Sequence, residues 1–463
     1  MTRLRDPLFL AALIAGTLPA VFSYIAIGVA IPHLEGHFGV GHSAVHWVAT
    51  AFIAAMMGGM LAAGPLLTRL GIAASLRTCA VLFSAASLWA ATADHFWTLV
   101  AARFVMGLAG GLGQPLALIV LYEAFGDDSR GAATSLFGVT TAACASLAAL
   151  LAGILLDALG WRSIFWVPIP FALALLFAAQ RAPVRPRSSS ERLDWVGLAA
   201  VLMGLLAALG IDTSQSQSWR TLSSAAVAII CIVVVIARQR TFDRPLFDPE
   251  LFRHTGYLRS AACATIYGAL MFGLAYALPI YLQLGLGQTA TAAGAWLVIP
   301  GVALVVAIHV GGPLTDRASF RPVLLSGFGL LAVGLGGLGL PTPFGTLATV
   351  MALATVARAG MGLVFCGINA GATRTVPDRL LSKVPGSINF FRLLGGAVGV
   401  RALAALLEPT AGQGPLGTGA DRDFVGGFLF LAALALLAIP IATGIQRIPS
   451  EHANASLHER NQP

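Results

Sequence analysis

The chain has very little charge. Of 463 residues only 10% are Asp, Glu, Lys or Arg, 57% are hydrophobic, and the mean hydropathy is +0.83. Water-soluble domains carry roughly 25% charged residues, so a water-covered surface of ordinary composition is excluded. Lysine is almost absent, Lys383 being the only one among 28 basic residues, a bias that fits a GC-rich bacterial genome. Cysteine is scarce too. Cys79, Cys144, Cys231, Cys263 and Cys366 lie inside apolar runs without disulfide or metal spacing, so they read as packing residues. There is no phosphate-cradling glycine loop and no stretch polar enough for a soluble domain, which excludes ATP drive within this chain. The net charge of +8 does not imply nucleic acid, because the basic residues are scattered among short loops rather than gathered in a stripe.

What remains is lipid, where unpaired backbone groups force helices or a closed barrel. Long unbroken apolar runs, instead of short alternating ones, select helices. About twenty apolar residues cross a bilayer, and by that measure the expected spans are 8–32, 44–66, 78–93, 98–122, 131–156, 164–180, 194–211, 221–237, 257–283, 291–313, 323–340, 346–370, 384–407 and 424–446. The first run is too long for a signal-peptide core. With the N-terminus inside, cytoplasmic segments hold 21 basic residues and outer loops three, Arg162, Arg220 and Arg422. This asymmetry predicts an inner-membrane protein with both termini cytoplasmic. Trp47, Trp97, Trp161, Trp166 and Trp219 stand near span ends as interface anchors. Asn454-Ala455-Ser456 fits the glycosylation pattern but falls in the cytoplasmic tail, where it has no use.

The sequence repeats itself. GPLLTR at Gly64–Arg69 returns as GPLTDR at Gly312–Arg317, and ARFVMGL at Ala102–Leu108 returns as ARAGMGL at Ala357–Leu363. Each pair occupies the same place in its half, so two related six-helix bundles are expected. The division is 1–180 for the first bundle and 257–446 for the second. Residues 181–256 hold a polar, proline-bearing linker, an inserted helix pair and a second linker, and 447–463 form a tail.

These residues resemble the fourteen-helix drug:proton antiporters of the EmrB/QacA type within the major facilitator superfamily. The resemblance rests on Trp47, GPLLTRLG at Gly64–Gly71, Arg103 with Gly107, WRSIF at Trp161–Phe165 and LDWVG at Leu193–Gly197. Farther along it rests on LPIYLQ at Leu278–Gln283, Gly294, Pro300, Asp316–Arg317 and GSINFFRLLGGAVG at Gly386–Gly399. It implies an all-α membrane protein of major facilitator fold: fourteen transmembrane helices in two six-helix bundles plus an inserted pair. It also implies proton-coupled export without a cofactor, with a periplasmic adaptor and an outer-membrane channel as candidate partners. Three positions depart from the family pattern. Ser23 stands where an acid is usual in the first span, Thr68 replaces the acid of the first loop signature, and Ala148-Ala149 replaces a Gly-Pro pair.

Every Asp and Glu falls in a loop or at a helix end, while Arg103, Arg358, Arg392 and Arg401 lie within spans. Intramembrane charge marks function by default, and a guanidinium stays protonated, so it holds an anion rather than shuttling a proton. Arg103, Arg358 and Arg392, with Ser23, Asn369 and Gln283, are the candidate substrate-cavity residues; the competing reading has the guanidinia tying helices together. Arg401, near the outer face, reads as a snorkelling side chain. Gly64, Arg69, Gly312, Asp316 and Arg317 form candidate gating loops that latch the cytoplasmic ends. A proton relay would fall to Glu35, Glu123, Asp157, His33 or His37. His33, His37, His42 and His46 form two i,i+4 pairs, open to a pH-sensing or metal-binding reading as well as to plain exposure.

The expected function is secondary active transport: efflux of a small amphipathic, anionic organic compound or drug. Uptake or facilitated diffusion in the same fold is the alternative. A membrane-embedded transferase would need clustered acids or histidines at one face, and a receptor would move no substrate.

Overall fold

The computed structural model describes residues 6–126, 129–182, 194–209, 218–242, 246–317, 319–340, 346–407 and 420–445, and these contain helices and no strand. The expected linker at 183–193 and the tail at 447–463 lie outside the described residues. The N-terminal set comprises α1 (Pro7–Ala15), α2 (Leu18–Phe38), α3 (His42–Val45), α4 (Trp47–Ala91), α5 (Phe96–Phe125), α6 (Arg130–Leu159), α7 (Ser163–Trp166) and α8 (Pro168–Arg181). Next come α9 (Trp195–Leu209) and α10 (Ser218–Thr241). The C-terminal set comprises α11 (Pro249–Arg253), α12 (Thr255–Ile280), α13 (Ala290–Trp296), α14 (Val298–Arg317), α15 (Phe320–Leu338), α16 (Leu347–Arg374), α17 (Val384–Leu407) and α18 (Ala420–Thr443).

Among the described residues, eleven helices are long and apolar enough to cross a membrane. Their outward faces are apolar as well. On α10, Ile229, Ile230, Ile232, Val233 and Ile236 are all exposed, an arrangement that water would not tolerate over such an area but lipid would.

The first and sixth expected spans are broken, and the junction of the second and third is tighter than hydropathy suggests. The first is broken at Gly16–Thr17, where the Thr17 hydroxyl donates to the Ile14 carbonyl (2.7 Å) and Pro19 opens the next helix. The second and third expected spans run on without a loop as α4, yet they are two helices separated at Gly71. At φ 78° and ψ 171° Gly71 turns the chain in a region open only to glycine. The sixth divides into α7 and α8 at Pro168, which lacks the N–H to continue the ladder. Trp161 also departs from its expected role. It is buried, packing on His37 (5.2 Å), Phe38 (5.5 Å) and Phe165 (6.1 Å), and so does not anchor at the lipid interface.

Within the N-terminal set α4 packs along α5, and within the C-terminal set α15 packs on α16 and α12 on α17. The two sets meet along α6–α14 and α4–α17. The aspartate of LDWVG explains how α9 begins. Asp194, 2% exposed, caps the helix by accepting from the Gly197 N–H (2.9 Å) and also takes the Arg238 guanidinium of α10 at 3.0 Å. A buried charge is thereby matched, and the two helices are fixed at one end. Leu198 and Leu202 of α9 then fill the groove left by Gly58 of α4.

Candidate functional site

Ion pairs gather at one end of the helix bundle. Asp6–Arg181 (3.0 Å), Arg130–Asp378 (3.4 Å), Lys383–Asp248 (2.6 Å), Arg374–Asp316 (2.8 Å) and Arg379–Glu250 all lie there. We call it the basic end. Here the second loop signature makes a latch between the two helix sets. One Asp316 oxygen accepts from the Gly131 N–H at 2.8 Å and the other from the Ala132 N–H at 2.9 Å. These are unsatisfied amide groups of the first turn of α6, where the helix dipole favours an anion. Arg374 holds the same carboxylate from its own set and donates to the Thr315 carbonyl at 2.7 Å. The backbones touch: a methyl on Gly131 would fall 2.2 Å from the Gly312 carbonyl oxygen, and one on Gly312 would fall 2.3 Å from that of Gly131. Farther along the same seam the Ser135 hydroxyl donates to the Ile308 carbonyl at 2.9 Å.

The first loop signature closes differently. Gly64 lies against the Ser382 carbonyl oxygen, 2.7 Å from where its methyl would be, and Gly386 against that of Met60. Thr68, standing where an acid is usual, turns its hydroxyl back to the Pro65 carbonyl at 2.9 Å. Arg69 and Arg317 are exposed and pair with no described residue, so the latch is made by Asp316 with Arg374 and not by the arginines of the signatures. Neither Arg374 nor the start of α6 was legible as part of it. The repeat marks Asp316, but nothing in sequence names the helix end it caps.

The four intramembrane arginines divide sharply. Arg103 is 0% exposed. Its Nε donates to the Val48 carbonyl and an Nη to the Ser23 carbonyl, each at 3.3 Å, and its guanidinium lies 4.0 Å from the centre of the Phe52 ring. It ties α5 to α2 and α4 and exposes no surface, with Nη1 buried and without a hydrogen bond, as the reading of a guanidinium that ties helices together expects. Ser23 is likewise buried. Arg401 reaches the last turn of α9, donating to the Ala208 (3.2 Å) and Leu209 (3.5 Å) carbonyls. It caps a helix C-terminus rather than snorkelling.

Arg358 and Arg392 are different. Both are partly accessible although set within the helices, and neither has an ion pair or hydrogen bond among the described residues. Both lie within electrostatic reach of the buried Tyr267 of α12. Arg392 stands 5.4 Å from the centre of the Phe365 ring, and Asn369, one turn on, donates its Nδ2 to the Phe365 carbonyl at 2.8 Å. The backbones of α12 and α17 meet at this level, where a methyl on Gly268 would strike the Arg392 carbonyl. Tyr267 and Phe365 went unnoticed in sequence because lone aromatics in apolar runs give no periodic signal.

The other proposed residues do not join this cluster. Gln283 is exposed in a π-helical turn beyond α12, its Nε2 on the Pro279 carbonyl at 3.2 Å. Glu35, His33 and His37 sit at the end of α2 opposite Asp6, and Asp157 is exposed near the end of α6. Glu123 is half-buried near the basic end of α5. The described residues hold no group of three or more His, Cys, Asp or Glu that could bind a metal. A small, partly open cleft lies within the N-terminal set beside Thr17, Cys79 and Gln114, away from the seam between the sets.

Comparison with known proteins gives a consistent result. Residues 13–400 match the profile described as Major Facilitator Superfamily. The chain is 25% identical over 414 residues to the multidrug transporter protein MdtP of Bacillus subtilis, covering 87% of this chain and 76% of that protein. It is 26% identical over 391 residues to a multidrug resistance protein B homolog of Mycobacterium tuberculosis, covering 82% and 72%. Among solved structures it is similar in fold to the proton:xylose symporter XylE, with TM-score 0.66, 16% identity and coverage of 95% and 96%. It is similar also to the human organic anion transporter MFSD10, with TM-score 0.67, 15% identity and coverage of 94% and 100%.

Proposed function

Because the chain belongs to the Major Facilitator Superfamily, and is therefore a membrane transporter and not an enzyme, we propose that it exports a small amphipathic organic compound by alternating access. The observation that carries this reading is the latch. A carboxylate of one helix set caps a helix of the other at the basic end, which is what a rocking carrier needs to hold one gate shut. Similarity to proteins named for multidrug transport supports efflux over uptake.

The fuller proposal is a member of the fourteen-helix drug:proton antiporter type in the bacterial inner membrane, its moving bundles being 1–180 and 257–446. On this reading the fourteen crossings would be the eleven apolar helices found among the described residues, with α4 counted twice at its Gly71 turn and α9 and α17 added. Arginine enrichment supports placing the basic end and both termini in the cytoplasm. Protons are the proposed coupling ion, and an adaptor and outer-membrane channel would extend the route. Since the acids of the spans stand near their ends, Glu123 in the last turn of α5 among them, the carrier of the proton would be a boundary group, Glu35, Glu123, Asp157, His33 or His37. That same feature favours uncoupled diffusion or uptake as the second reading.

The test is a susceptibility panel in a bacterial strain stripped of its major efflux pumps, comparing vector, wild type and Asp316→Ala. Protection by wild type that Asp316→Ala lacks is the expected result. Sensitisation, or substrate accumulation inside intact cells, would refute export and leave uptake.

A further inference from the structure

Resting on the transporter reading, we propose that Arg358 of α16 and Arg392 of α17, with Tyr267 and Phe365, bind the oxyanion, carboxylate or phosphate, of an amphipathic aromatic compound. The contrast with the other two interior arginines carries the assignment. Arg103 shows what a structural guanidinium looks like in this fold: wholly buried, spread over two backbone carbonyls and stacked on Phe52. Arg401 shows another, capping α9. Arg358 and Arg392 donate to no described residue and keep accessible surface, whereas Arg103 has none; a buried nitrogen without a hydrogen bond, Nε in Arg392 and Nη1 in Arg103, is common to both.

Neither α12, α16 nor α17 contains an Asp or Glu. Asp316, the acid at the end of neighbouring α14, is occupied by Arg374 and the start of α6. Two guanidinium groups thus lie within the helices with no acidic partner among the described residues, an arrangement that is costly until an anion arrives. Their remaining accessible surface is where it would land. A carboxylate or phosphate accepts the forked N–H pair of a guanidinium, and the buried Phe365 and Tyr267 rings behind the guanidinia give the site an apolar wall. The same field repels lipophilic cations.

The experiment titrates the full-length protein, in nanodiscs of neutral phosphatidylcholine, with 1-naphthylacetate and with its uncharged isostere 1-naphthylacetamide. Wild type is expected to bind the carboxylate at least about tenfold more tightly than the amide. Arg358→Gln and Arg392→Gln should each lose that preference, and Arg392→Lys should keep part of it. Adding phosphatidylglycerol distinguishes the sources. Displacement of the probe, lost in the Gln variants, assigns the oxyanion to a lipid headgroup, and no displacement assigns it to a soluble amphiphile; either supports the site. Equal binding of acid and amide by wild type, which needs no variant to fold, overturns it, as does binding of neither probe nor lipid. Anion binding without protection in the susceptibility panel would sink export while leaving the site. Protection against lipophilic cations without anion binding would do the reverse.

Discussion

Replacing Asp316 by asparagine should open the basic end without unfolding the protein. Opening must break the two bonds from the Gly131 and Ala132 amides at 2.8 and 2.9 Å, while Arg374 travels with Asp316 in the same helix set. Hydrogen bonds to a charged group contribute about 1.5–3 kcal/mol each. Arg374 already balances part of the charge, so the low end applies, and the two together favour closure by about 3 kcal/mol. An asparagine keeps one neutral acceptor worth about 1 kcal/mol, leaving a loss of about 2 kcal/mol, or roughly a 30-fold shift. An open fraction of about 1% would therefore rise to about a quarter. Spin labels replacing the exposed Arg69 and Arg317, one in each helix set, would report this as a longer distance in double electron–electron resonance. A distance distribution unchanged from wild type, in protein that remains folded, would refute the latch.

Other perturbations separate the remaining roles. Gly131→Leu places a side chain where the Gly312 carbonyl lies only 2.2 Å from the first added carbon, so transport should fall at least about tenfold with closure blocked, read as a lengthened label distance in a folded protein. Arg103→Met removes the tie among α2, α4 and α5, and should lower the melting temperature while leaving the charge preference of bound compounds unchanged. Arg238→Ala strands the buried Asp194 carboxylate, a change that costs about 3–5 kcal/mol where no other cation takes over, visible as faster hydrogen exchange across α9 and α10. Arg401→Ala should raise exchange only in the last turn of α9, at Ala208 and Leu209.

The helical membrane fold and the transporter family were legible in composition and in the paired loop signatures, because lipid constrains sequence more tightly than water does. Breaks inside spans were less legible. Hydropathy reports how apolar a run is and passes over Gly16–Thr17 and Pro168, while at Gly71 the backbone angle and not the composition separates two helices. The candidate site was half legible. A charge within a span stands out, but Arg103, Arg358 and Arg392 look alike in sequence. Only packing shows that the first is wholly buried and donates to the Ser23 and Val48 carbonyls, while the other two keep accessible surface and donate to no described residue. The latch was legible as an acid at 316 and no further, since its partners are backbone amides, which every residue but proline carries.

The central claim, export by a carrier closed at its basic end, is tested most directly in inside-out membrane vesicles energised to acidify their lumen. The compounds to add are those against which the chain protects cells, with pH followed by a fluorescent amine. The account predicts compound-dependent loss of the pH gradient in wild-type vesicles and its absence in Gly131→Leu vesicles. Uptake of such compounds without any drain on the gradient would contradict proton coupling, and no uptake at all would contradict export.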